Sequence, residues 1–430
     1  MKPKVAIIGT GIGGMTTAYL LNDKADITVF ESNDYIGGHT ATKNVSVDGK
    51  QYAIDTGFIV YNDWTYPNFI KLMSKLGVAT QATEMSFSVK NKMSGLEYNG
   101  NTLNSLFAQR RNLFSPSFYR LALDIVKFNK LCKAHLAENK STENLTLIAF
   151  IKQHRLSDAF TENYILPMCA AIWSTSLEAS ANFPLSFFLK FFNNHGLLNI
   201  TNRPQWHTLI GGSAEYIAPL TKSYANNIKL NSPVESVTKV NHNDEDSYQV
   251  VSNNDTYSFD QIIFACHSDQ ALKMLNLQSF DEQSKEDYAR ILAAIPYSNN
   301  EVVLHTDTSL LPKRPLAWAS WNYLIKGVTN EHASPASVTY NMNILQRIKS
   351  DTTFCVTLNN TADIDPSKIL GKYQYAHPQF SPAMVEAQSQ RNVICGKNGI
   401  HFCGAYWYNG FHEDGVRSAL DVVARFGAEL

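Results

Sequence analysis

At 430 residues, with 44% apolar and 17% charged side chains, the chain is long enough for two domains and too apolar for disorder. Its 37 basic and 38 acidic side chains leave a net charge of −1, which lacks the electrostatic footprint of a nucleic-acid binder. The six cysteines form no C-x-x-C pair and no zinc spacing, so reduced thiols and no metal site are expected. No apolar run reaches transmembrane length, and the N-terminus leads straight into a strand with no room for a removable signal. A soluble, cytoplasmic protein is the expectation.

Val5 to Ile8 reads as a strand buried on both faces, and it ends in Gly9-Thr10-Gly11-Ile12-Gly13-Gly14. A helical pattern follows, then a second strand, Ile27 to Phe30, which stops at Glu31 and Ser32. The G-x-G-x-x-G spacing suits a dinucleotide. Gly9 makes the tight turn, Gly11 admits a pyrophosphate and Gly14 lets the helix pack on the sheet. The helix N-terminus offers unpaired N–H groups to the phosphates. Glu31, about twenty residues on, is placed to accept hydrogen bonds from an adenosine ribose.

Six residues after Glu31 comes Gly37-Gly38-His39-Thr40-Ala41-Thr42. It resembles the E-x(6)-G-G-(R/H)-x-x-T extension of flavin amine oxidases, phytoene desaturases and their relatives, which hold FAD. In those proteins the glycine pair passes near the phosphates and the flavin, and arginine is common where this chain has His39. Val45 to Ile54 reads as a hairpin turning at Asp48-Gly49. It leads into Asp55-Thr56-Gly57-Phe58, where the resemblance puts a D-x-G segment along the isoalloxazine edge and has Gly57 admit the ring.

From Ala79 to Trp206 the nucleotide-binding pattern stops. Met85 to Lys90 reads as a strand and Leu103 to Lys133 as mostly helical. In that stretch Arg110, Arg111, Arg120, Lys127, Lys130 and Lys133 face one acid, Asp124, with apolar residues interleaved. It reads either as an ordinary core-facing helix with a solvated basic side or as a peripheral surface for anionic phospholipid at the inner face of a membrane. Ser141 to Phe160 gives another helical pair. Trp173 follows in an apolar stretch, and Phe187, Phe188, Phe191 and Phe192 mark an aromatic helix.

Gly211-Gly212-Ser213 opens a helix to Tyr224, and short strands at Ile228–Leu230, Pro233–Val237, Tyr248–Val251, Tyr257–Asp260 and Ile262–Ala265 complete a sheet. The resemblance gives the backbone of Val234 an adenine contact. Strands at Val302–Leu304, Ala317–Tyr323, Ser337–Met342 and Phe354–Leu358 return to a substrate domain. Period two puts Trp318 and Trp321 on opposite faces of one strand.

The last motif runs from Gly404 through Ala405-Tyr406-Trp407-Tyr408-Asn409-Gly410-Phe411-His412-Glu413-Asp414-Gly415-Val416 into a helix. It resembles the flavin-closing segment of the same proteins. The resemblance implies cofactor contacts at Gly404, Glu413, Asp414, Gly415 and Val416, as at the glycines, Ile12, Glu31, Ser32, His39, Thr40, Thr56, Phe58 and Val234 above. Tyr406, Tyr408 and His412 are the candidate catalytic groups, and Trp173, Trp407 and Phe411 the candidate substrate contacts.

The segments ESNDYIGGHT, DTGFIVYNDWTYPNF, EMSFSV, AAIWSTS, NHGLLNITNRPQWHT, TYNMN and GAYWYNGFHEDGVRSAL together resemble the FAD-binding proteins associated with cyclopropane-fatty-acid synthase. The resemblance implies an α/β fold: a Rossmann-like FAD-binding domain of the flavin amine oxidase type with an inserted α+β substrate domain. The expected division is 1–76, 207–290 and 390–430 for FAD, and 77–206 with 291–389 for substrate. It also implies a lipid or fatty-acyl substrate dehydrogenated by hydride transfer, and a functional link to a separate lipid methyltransferase. A flavin amine oxidase and a redox-neutral double-bond isomerase are the alternatives.

Overall fold

The run Val5–Ile8 is almost wholly shielded from water, and in the computed structural model it lies at the centre of a five-stranded parallel sheet. The structure describes residues 2–138, 145–242, 245–327 and 333–430. β1 (Lys4–Ile8) pairs with β2 (Asp26–Phe30) on one side and with the strand Gln261–Phe264 on the other. Ile228–Lys229 and Ile400–Phe402 form the two edges. Parallel neighbours need crossover connections, so this sheet gathers strands from both ends and the middle of the chain. The first crossover contains α1 (Ile12–Leu21), which is buried along most of its length.

The strands expected to complete one sheet divide between two. Val234–His242, Glu245–Ser252 and Asp255–Phe259 form a separate antiparallel meander. Asn253 and Asn254 both take positive φ (52° and 66°), which gives the tight turn that folds one strand back on its neighbour. Only Ile228–Lys229 and Gln261–Phe264 join the parallel sheet. Between the expected helix limits, Ser213 to Asn227 is one short α-helical stretch, Ile217–Thr221, flanked by 3-10 turns.

A seven-stranded sheet runs in the order Ile369–Pro378, Tyr297–His305, Cys355–Leu358, Val338–Asn341, Trp321–Ile325, Phe87–Asn91 and Glu97–Asn99. Trp318 lies outside it, just past a 3-10 turn with its indole N–H on the Pro312 carbonyl at 2.8 Å, so the two-face relation with Trp321 does not arise. Behind this sheet sits a second core, rich in phenylalanine, built with the helices Pro116–Ala137, Leu147–Gln153, Leu166–Trp173 and Leu185–Asn194. The helical pair expected from Ser141 begins in residues 141–144, which lie outside the described residues; its remainder forms Leu147–Gln153 and Asp158–Phe160. The Asp48-Gly49 hairpin, Thr42–Val47 with Lys50–Asp55, packs Ile54, Val45 and Tyr52 against this second core. Among the described residues no helix is long and apolar enough to cross a membrane.

Candidate functional site

The glycines after β1 divide by what surrounds them. A β-carbon on Gly9 would come within 2.8 Å of the Ala265 carbonyl, and one on Gly14 within 2.0 Å of the Gly9 carbonyl. Both are fixed by packing. A β-carbon on Gly11 would meet nothing within 4 Å, so the turn is open at the N-cap of α1. The N–H groups of the first turn lack helical acceptors there, with no acidic side chain beside them. Gly13 and Ile12 face the C-terminal helix, His412–Val423. The Ile12 side chain comes so near Gly415 that a β-carbon there would sit 2.6 Å away, and Val416 is fully buried in the same contact.

Glu31 closes the other side of the turn. Its Oε2 accepts the Thr10 N–H at 3.0 Å and the Thr10 hydroxyl, and its Oε1 accepts the Asn33 N–H (2.9 Å) and side-chain amide (2.7 Å). With Ser32 Oγ at 3.4 Å, the carboxylate's acceptor positions are all engaged. Glu31 is thus a brace between the glycine turn and β2. Val234, half-buried at a bulge, begins the strand just after Ser232, whose N–H donates to the Glu31 carbonyl at 2.8 Å. That contact brings Val234 to the same end of the site.

Gly37 and Gly38 take positive φ (130° and 57°), which places Gly38 against Gly11. His39 then enters a group of rings, with centroids 6.1 Å from His267, 5.5 Å from His377 and 5.4 Å from Tyr375. Burial, with His267 nearby, lowers the His39 imidazole to about 4, and its Nε2 is buried without a partner. Burial likewise holds His267 at about 4, where it stacks on Tyr297 at 4.3 Å, and His377 at about 3. All three are neutral at physiological pH. Among the described residues no group of His, Cys, Asp and Glu is arranged to hold a metal ion.

The close approach that Gly57 permits is to His39. A β-carbon would lie 2.1 Å from the His39 carbonyl oxygen, which accepts the Phe58 N–H at 2.8 Å. That contact alone requires glycine here for backbone packing. Thr56 Oγ1 lies 2.8 Å from the Tyr375 hydroxyl. Asp55 is a buried hub for the Thr42 hydroxyl (2.6 Å), the Ser213 N–H (2.9 Å) and the Gln346 side-chain amide (2.8 Å). Burial outweighs those bonds and raises its carboxyl to about 6.

The C-terminal loop separates its three candidate catalytic residues. His412 opens the last helix, stacked flat on Phe58 at 3.7 Å, with Nε2 3.2 Å from Thr40 Oγ1 and 3.0 Å from the Tyr216 hydroxyl. Burial drives this imidazole far below its usual range, so it is neutral where it packs between Phe58 and the hydroxyls of Thr40 and Tyr216. Tyr408 points away, its hydroxyl on Asp421 at 2.5 Å and its ring under Arg417, a pairing that removes it from the candidate catalytic set. Tyr406 remains, buried against the glycine at 404, with its hydroxyl unpartnered and its acidity suppressed by burial.

Trp407 belongs to the core behind the parallel sheet, with the Arg391 guanidinium over its ring at 5.5 Å, which corrects its assignment as a substrate contact. Glu413 accepts the Phe69 N–H at 2.8 Å and the Asn68 side-chain amide at 2.6 Å, fixing the helix to its neighbour. Asp414 caps its own helix by accepting the Phe411 N–H at 2.9 Å, and burial pushes its carboxyl up to about 7. Phe411, half-buried, stacks on Phe191 at 5.4 Å, and Phe191 in turn packs on Trp173 at 4.7 Å. These rings, with Phe187 and Phe380, form an aromatic wall leading from the helix start into the second core.

The sequence reading passed over Tyr375 and His377. The signal was present in Tyr373, Tyr375 and His377, alternate residues and so one face of a strand. These groups fit FAD: an open glycine turn at a helix N-terminus for the diphosphate, and buried polar atoms left without partners on His39 (Nε2) and Tyr406 (the hydroxyl) for its polar groups.

Comparison with known proteins agrees. Zeta-carotene desaturase of Capsicum annuum is 39% identical over 77 residues, so the chain matches only 12% of that protein's length. The CLA-producing fatty acid isomerase from P. acnes superposes with a TM-score of 0.67 at 14% identity, covering 99% of this chain and 98% of the other. Cyclohexylamine oxidase from Brevibacterium oxydans IH-35A gives 0.68 at 14% identity, covering 99% of each. At such identities the likeness is one of fold. Residues 12–341 match the family described as flavin containing amine oxidoreductase, and the chain belongs to that family as an FAD-dependent oxidoreductase.

Proposed function

We propose that the protein removes a hydride from a carbon of a fatty-acyl chain. The observation that carries this reading is the aromatic wall of Phe411, Phe191 and Trp173, which begins at the N-cap of the last helix and runs into an apolar core. Trp173 and Phe191 are already buried and Phe411 is half-buried, so a hydrocarbon chain would gain by covering the open part of Phe411, because burying it releases water. FAD, when bound, supplies the acceptor for the hydride.

The residues here position the chain and exclude water. The imidazoles of His39, His267 and His377 are neutral and weakly basic, which suits departure of hydride before any proton. One C–H bond would give up a hydride, for which bound FAD would be the acceptor, and its neighbour a proton, which would pass to water, leaving a double bond. The motif resemblance to proteins associated with cyclopropane-fatty-acid synthase supports an acyl substrate, as does the fold shared with a fatty acid isomerase. A separate lipid methyltransferase is the functional partner this reading implies.

The test is an anaerobic titration of the oxidised flavin with phospholipids and with free unsaturated or methyl-branched fatty acids. Bleaching with a product two mass units lighter is the expected result. Bleaching by amines alone transfers the assignment to an amine oxidase. A rearranged acyl product of unchanged mass, with no net bleaching, transfers it to an isomerase.

A further inference from the structure

The helix Pro116–Ala137 buries Phe118, Leu121, Phe128 and Cys132 in the second core, as an amphipathic helix must. Its outer face does not become uniformly polar. Tyr119, Leu123 and Val126 are exposed at helical spacing, and Leu113 and Phe114 continue the strip from the preceding 3-10 turn. Phe114 is 88% exposed and Leu123 66%. The strip borders a shallow groove of about 540 Å³ lined by Leu113, Phe114, Pro116, Tyr119, Arg120 and Leu123. Scattered exposed apolar side chains are ordinary, but a contiguous strip marks a contact surface.

The exposed charged side chains on this helix and on the turn before it are basic. Lys127, Lys130 and Lys133 follow on the exposed face of the helix, and Arg110 and Arg111 are exposed before it. Asp124, the helix's one acid, is turned inward, where it accepts the Ser157 N–H at 2.9 Å and pairs with Arg120 at 3.1 Å. A chain with a net charge of −1 therefore presents a locally cationic face at its most exposed apolar strip. Apolar side chains flanked by cations match the boundary of an anionic bilayer, where the rings enter the acyl region and the ammonium groups stay among phosphates. An apolar protein partner would strip water from these lysines without offering them charge.

We propose that the face formed by Leu113, Phe114, Tyr119, Leu123, Lys130 and Lys133 docks the protein on a membrane surface rich in anionic phospholipid. The surface is independent of the acyl-chain reading, because vesicle binding is measured without turnover.

The experiment is co-sedimentation of the full-length, FAD-loaded protein with phosphatidylcholine vesicles, with and without about 30 mol% phosphatidylglycerol. Binding is expected only to the anionic vesicles and falls as salt shortens the Debye length. The pair Phe114→Ser and Leu123→Ser, and separately Lys130→Glu with Lys133→Glu, should each weaken it by roughly tenfold or more. Flavin content and melting temperature serve as folding controls. Failure to bind anionic vesicles, equal binding to neutral ones, or binding unchanged in folded variants overturns the proposal. Lipid-free self-association that Phe114→Ser abolishes, without vesicle binding, assigns the face to a second copy instead.

Discussion

Gly14 packs its bare α-carbon on the carbonyl of Gly9, 2.0 Å from where a β-carbon would stand. Gly11, midway between them, has no neighbour within 4 Å of that position. The same motif thus holds one glycine for folding and one for the ligand. Gly14→Ala is expected to yield little folded protein, since a backbone carbonyl cannot step aside. Gly11→Ala should fold with an unchanged apoprotein melting temperature yet lose FAD affinity by at least about tenfold. Flavin-to-protein ratios and melting curves of the two variants separate these outcomes.

The neutral imidazoles near the glycine pair make FAD affinity depend on pH. His267, His377 and Tyr375 surround His39, and none carries a charge at neutral pH. An anionic diphosphate beside this group raises its affinity for a proton, so by linkage the diphosphate binds more tightly as pH falls. Flavin fluorescence should report a dissociation constant that decreases from pH 8 to 5.5. In His39→Asn the slope should shrink, and a flat wild-type profile counts against a phosphate contact here.

Asp414 predicts the opposite of ordinary acid denaturation. Its folded value of about 7 lies above its unfolded value of 3.8. The folded state therefore holds the proton more tightly, and this contribution to stability is complete below about pH 4 and is lost as pH rises through 7. Asp414→Asn keeps an oxygen for the Phe411 N–H while removing the titration. Melting temperatures between pH 5 and 8 should decline less steeply in the variant than in the wild type.

Tyr408 and Phe411 stand three residues apart and should behave differently. Tyr408→Phe removes one hydrogen bond to a partly exposed carboxylate, costing about 1 kcal/mol of stability and leaving flavin reduction unchanged. Phe411→Ala removes a ring from the aromatic wall and should weaken acyl-chain binding by about 1–2 kcal/mol, a smaller loss than for a fully buried ring. Anaerobic reduction titrations of both variants give the comparison directly.

The nucleotide half was readable because its signals are local. A strand, four glycines, a helix and an acid lie within residues 5–31, and spacing alone orders them. What surrounds them was less readable, because it is set by pairing between distant segments. Tyr375 and His377 reach His39 only because Ile369–Pro378 pairs with Tyr297–His305 at the edge of a seven-stranded sheet. Trp407 and Phe411 looked alike in sequence, yet one is in the nucleotide-side core and the other faces Phe191. Glu31 had the right spacing for a ribose, but spacing does not reveal that Thr10 and Asn33 already occupy its oxygens.

The packing of Ile12 on Gly415 also fixes an order of events during synthesis. The glycine turn leaves the ribosome first, whereas the strand Ile400–Phe402 and the helix that seats against α1 come some four hundred residues later. At bacterial or eukaryotic elongation rates that is an interval of roughly 20–80 s. Throughout it the nascent chain displays an intact dinucleotide motif with no wall behind it. The wall behind the motif is therefore incomplete until the last helix is made, and a chain interrupted before residue 400 is expected to hold flavin less well, which its flavin-to-protein ratio would show.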